Sequence, residues 1–202
     1  MGIRPPGLPR RPAFQLGVAT LAMVAILAAG CSGGSVYTSF DPNGPCTTDG
    51  RFPGAYPSLE ALVPSKFEGR APDTLDSGRN CSAAELGTLA GHGIHELRYA
   101  GGTWELGSNA GVTLSVFTAD GLTAAILGEW YEATARQARN TREITPTRPT
   151  IHGHSTFRLD TVNNESDQTV ITWDGTATGE VFVVVAAEAG EARIAAAVAA
   201  FP

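Results

Sequence analysis

Lysine is nearly missing from this chain of 202 residues. Lys66 is the only one, and 14 lysines and arginines face 20 aspartates and glutamates, for a net charge of −6. So few cations argue against nucleic-acid binding, where a basic face supplies most of the affinity. They also argue against attachment to anionic lipid through protein charge. Catalytic signatures are missing too. There is no Gly-x-Ser-x-Gly elbow, no Gly-rich phosphate loop and no close Cys-x-x-Cys pair. A long apolar run is the last absence. A membrane span needs about 20 apolar residues, whereas residues 16–30 are a shorter charge-free stretch containing Gly17 and Thr20.

That stretch is informative in another way. Arg4, Arg10 and Arg11 precede it as a positive head, and it ends in Leu27-Ala28-Ala29-Gly30-Cys31. The ending resembles the lipobox of bacterial lipoproteins, and small residues before the cysteine suit a peptidase with a narrow site. The resemblance implies that residues 1–30 are a signal peptide and that Cys31 becomes the acylated N-terminus, with palmitate among its chains. It places the protein at the cell membrane on the extracytoplasmic face, periplasmic where the cell has two membranes. A single acyl chain holds weakly; two or three hold essentially permanently. Pro12, directly after Arg10-Arg11, departs from a twin-arginine signal.

Removing the leader takes away three basic residues and no acidic one, leaving 11 against 20, a net −9. It also settles the odd cysteine. With Cys31 lipidated, Cys46 and Cys81 remain as a pair in an oxidising compartment, which predicts a disulfide. A metal or redox pair would need close spacing or a nearby histidine, and neither is present. Residues 31–57, rich in glycine and proline, are expected to be a lipid-anchored flexible tether. Residues 58–202 are expected to form one α+β globular domain.

Along that domain, Ser58 caps a short turn of helix stopped by Pro64, and Ser82 with Glu85 forms a capping box for a helix reaching Ala90. Alternating patterns predict strands over 95–106, 112–117, 156–161, 169–173 and 180–187. Asp120 is the expected cap of the longest helix, 122–139, and a last helix covers 191–201. Thr103-Trp104-Glu105 and Thr172-Trp173-Asp174 lie 69 residues apart, and Val112/Val181, Val116/Val185 and Gly121/Gly190 share the offset. This echo suggests a duplicated ββα unit. The expected fold is therefore α+β, a single antiparallel sheet of about five strands with helices on one face. Val183, Val184 and Val185 after Phe182 point to a strand buried on both faces or central in the sheet.

The histidines come in two close pairs. His152 and His154, two apart on a predicted strand, would share a face and could ligate one metal, with His92 and His95 completing the site if the segments met. As an unliganded alternative, His92 sits in a turn between Gly91 and Gly93. Glu129 and Glu132 read as a solvated helix face. Trp104, Trp173, Trp130, Tyr131, Phe117, Phe157 and Phe182 either form core or line a cleft for an apolar small molecule.

The segment from Ile151-His152-Gly153-His154 through Thr172-Trp173-Asp174 to the C-terminal helix is similar to extracytoplasmic α+β modules. These belong to envelope lipoproteins and to the outer portions of anti-sigma regulators. The resemblance covers residues 151–201 and implies no catalytic residue. The expectation is a non-enzymatic, membrane-anchored lipoprotein with no cofactor and no nucleic-acid partner, binding a small apolar ligand, lipid or envelope protein. The alternatives are a metal-assisted hydrolase using His152 and His154, and a structural or interaction protein of the envelope.

Overall fold

Val181, Val183 and Val185 alternate with Phe182, Val184 and Ala186, and all six are buried. A strand with this pattern needs cover on both faces, and it has it. In the computed structural model, which describes residues 37–107 and 109–201, this strand is the last of ten. They are β1 (Gly50–Phe52), β2 (Thr74–Asn80), β3 (Leu97–Gly107), β4 (Ala110–Thr118), β5 (Thr141–Thr147), β6 (Thr150–Ile151), β7 (His154–Ser155), β8 (Phe157–Asn163), β9 (Ser166–Asp174) and β10 (Glu180–Ala187). Eight form one antiparallel sheet in the order β1-β2-β3-β4-β10-β9-β8-β5; β6 and β7 pair separately. The lipobox and Cys31 lie outside the described residues. Among those described, no helix is long and apolar enough to cross a membrane.

Helices α1 (Pro57–Glu60), α2 (Ala83–Leu86), α3 (Ala124–Gln137) and α4 (Glu191–Val198) divide between the two faces. On one face Ile194, Ala197 and Val198 of α4, with Phe201, Val63 and Phe67, meet Trp104, Leu114, Trp173, Phe182 and Val184. On the other, Leu127 and Trp130 of α3, with Leu86 and Leu89, meet Tyr99, Phe117, Leu159, Val181 and Val183. The expectation of about five strands with helices on one face is thus overturned. The sheet has eight strands and is covered on both faces.

The ββα echo fails for a related reason. Trp104 lies opposite Val112, but Trp173 lies opposite Phe182, not Val181. The offset grows by one residue across the second hairpin. Side chains alternate along a strand, so that residue moves Val181 and Val185 to the opposite face from Val112 and Val116. Helices α3 and α4 accordingly pack on opposite faces. What does repeat is strand order: read inward from either edge, four strands meander to the β4–β10 junction.

Two helix starts follow simple chemistry. Ser82 caps α2 as expected, whereas α3 is capped by Thr123, whose hydroxyl accepts from the Ile126 N–H, and not by Asp120. Asp174 accepts from the Ala124 N–H at 2.7 Å. Gly128 in α3 leaves room for Phe157: a Cβ there would run into the ring.

Part of the stretch expected as tether is built into the sheet. Cys46 and Cys81 form the disulfide, with Cα atoms 5.4 Å apart, and β1 pairs with β2. Arg79, 2 % exposed, donates to the carbonyls of Gly44, Pro45 and Thr48, and its guanidinium stacks 4.7 Å from the Phe40 ring. Asp49 accepts from the backbone N–H groups of Cys81 and Ser82. Burial pushes the Asp49 carboxyl up, but these N–H groups, the Ser82 hydroxyl and the Arg79 charge outweigh it and hold it below its ordinary value. The stability it contributes is therefore full above the ordinary carboxylate range and is lost as pH falls through the depressed value. Asp76 and Glu85, pushed up by burial, act in the opposite sense. Unfolding measured between about pH 6 and pH 2 should show a shallower acid loss in Asp49→Asn than in the wild type. Parallel profiles would show that Asp49 titrates alike in folded and unfolded chains.

Candidate ligand groove

The β6–β7 hairpin turns through His152 and Gly153, at φ 49° and 81°. Two positive φ values in a two-residue loop match the twist of flanking strands, and glycine takes one of them without strain. Thr156 closes the hairpin base, donating its N–H and its hydroxyl to the Pro149 carbonyl at 3.0 and 2.8 Å. His154 stacks on Trp173, ring centroids 5.5 Å apart. The hairpin thereby lies over the same sheet face as α4.

Between hairpin and helix runs a groove of about 540 Å³, within the roughly 300–1,000 Å³ typical of small-molecule sites. Pro149, Ile151, Ala192, Ile194 and Ala195 supply apolar lining, and Arg158 and Glu191 the charge. Arg158 sits on β8, where Phe157 and Leu159 point to the α3 face and Arg158 and Asp160 to the α4 face. Its Nε donates to both Asp160 carboxylate oxygens at 2.8 and 3.0 Å, and its two Nη donate to Glu191 at 2.8 and 2.5 Å. Asp160 also accepts from the Thr169 hydroxyl at 2.6 Å. Such a forked pair is geometrically specific. The hydrogen bonds from Arg158 hold the Glu191 carboxyl below its ordinary value, and the two carboxylates hold the Arg158 guanidinium up.

Helix α4 begins without a side-chain cap. Gly190 is the N-cap residue, and its carbonyl receives the Arg193 and Ile194 N–H groups. Glu191 is the only acidic residue in the first turn, where negative charge complements the helix dipole.

The histidines do not assemble. His152 is in a turn, not a strand, and is exposed, so the shared-face argument for His152 and His154 does not apply. His92 lies 3.8 Å from Glu129 of α3, on the sheet face opposite His154, and His95 is exposed before β3. Among the described residues no group of three or more His, Cys, Asp or Glu is placed to hold a metal ion. Glu132 pairs with Arg136 one turn on, at 2.6 Å.

The aromatic residues split between the two cores and line no common cleft. Trp104, Trp173 and Phe182 pack under α1 and α4, and Phe117 and Phe157 under α3, whose own Trp130 completes that core with Tyr131 at its margin.

Sequence reasoning passed over Arg158, Glu191, Ile194 and Ala195. The available signal was Arg158-Leu159-Asp160, two charges on one face of a strand whose other face is apolar. No family model matches the chain, and comparison with curated proteins and solved structures found no match.

Proposed function

We propose that this is a non-enzymatic lipoprotein, held by acylated Cys31 on the extracytoplasmic face of the cell membrane, that binds a small amphiphilic or apolar molecule. The observation that carries the binding reading is the groove between the β6–β7 hairpin and α4, with five apolar side chains beside one forked ion pair. The leader sequence ending at Cys31 supports the anchor. An acidic domain attached by its own acyl chains needs no basic membrane-binding face.

Native mass spectrometry of the protein ejected from native bilayer discs tests both parts. The expected species starts at Cys31, carries acyl chains and retains a small molecule. In Ala195→Trp, where an indole fills the groove, the acyl chains remain and the retained molecule is lost. Equal retention in Ala195→Trp would remove the groove from the reading, and an unacylated chain would remove the anchor.

A further inference from the structure

We infer that the groove takes a single-chain alkyl carboxylate, whose headgroup replaces Glu191 on Arg158 while its chain lies against Ile151, Ile194 and Ala195. This deepens the binding reading above and rests on it. Three observations converge. Arg158 lines the groove and presents a fork fitted to a planar, two-oxygen anion. The group now on that fork, Glu191, is the removable one: its side chain is 73 % exposed against 18 % for Arg158. The first turn of α4 has no side-chain cap, so a carboxylate arriving there meets the positive end of the helix, as Glu191 does now.

Asp160 is the second carboxylate beside Arg158, and it stays in place, tied also to the Thr169 hydroxyl. Its charge balances Arg158, so a free anion gains little by approaching while Glu191 remains. Exchange with Glu191 preserves the two hydrogen bonds on the fork but adds one negative charge, which the 73 % exposed Glu191 side chain carries out into solvent, so apolar burial of the chain has to supply the gain. Neither an uncharged headgroup nor a cation can take the place of Glu191 on the Arg158 fork. Glu191 thus acts as a built-in competitor, and it lowers apparent affinity by the fraction of time it occupies the fork.

The test uses the full chain in phospholipid nanodiscs. A diazirine-bearing decanoate and the matching decanol label the protein under light, and labelled peptides are mapped by mass spectrometry. Decanoate is expected on peptides carrying Ile151 or Ala195. In Glu191→Gln its half-saturation should fall about five- to tenfold, as for a competitor that occupies the fork 80–90 % of the time. Decanol should show no such change. If both probes label the groove and Glu191→Gln shifts neither, the carboxylate exchange is overturned and the groove reading stands. If neither probe labels those peptides, the groove reading itself fails.

Discussion

Replacing Cys46 and Cys81 together by alanine is expected to lower the unfolding free energy by about 3–4 kcal/mol. The bridge closes 35 residues, and in the chain-entropy model most of its effect comes from restricting the unfolded chain over that length. The folded side adds a local consequence. Strand β1 has three residues and a single neighbour, β2. Its remaining ties include Arg79, which binds carbonyls on both sides of Cys46, Asp49, which accepts from the N–H groups at the start of α2, the Arg51–Asp76 pair and the Phe52 ring on Phe40. Without the bridge, these groups must order the segment alone. Urea denaturation gives the total, and hydrogen exchange should show the Gly50–Phe52 amides opening well below the global unfolding free energy. A loss under about 1 kcal/mol would mean that these polar and aromatic ties hold the segment in the unbridged chain, against the entropy argument.

Strands were legible where one face is apolar and illegible where burial is polar. β3, β4, β8, β9 and β10 carry alternating or continuous apolar residues, and all five lie in regions expected to be strands. β2 reads Thr-Leu-Asp-Ser-Gly-Arg-Asn, yet its last five residues are buried. Asp76 pairs with Arg51, Ser77 donates to Glu60, and Arg79 is held by loop carbonyls. Each partner lies 17 or more residues away, so no local pattern reveals it. β5 was missed for the opposite reason. It is a largely exposed edge strand with a register shift after Arg142, and Pro146 falls within it, which is how edges avoid pairing with other chains.

The groove was half legible for the same reason. Ile151 and His152 stood out by sequence, but their opposite wall comes from Arg158 and Glu191, 33 residues apart in the chain. The two-faced sheet had a direct signal in the continuous apolar run of β10. Such a run implies burial of the strand on both faces, and its consequence for the whole sheet is a layer of helices on each side.

Trp173→Ala should cost about 3–5 kcal/mol, a large share of a stability that for such domains is about 5–15 kcal/mol in total. The indole is 2 % exposed and touches three rings: Phe182 at 5.7 Å, Phe201 at 5.2 Å and His154 at 5.5 Å between centroids. Phe201 follows α4 and His154 belongs to β7, so one side chain supports both walls of the groove. Trp104→Ala is the control. It is equally buried, but it packs on Phe67 and donates to the Arg70 carbonyl at 2.9 Å, away from the hairpin. Both variants should lose comparable stability by urea denaturation. Only Trp173→Ala should also move the amide resonances of Ile151, Ala192 and Ala195 under conditions where each variant remains folded. Equal movement in both would mean that the groove responds to core stability in general. Movement confined to Trp173→Ala would mean that the indole joins hairpin to helix, and that the groove depends on a residue which does not line it.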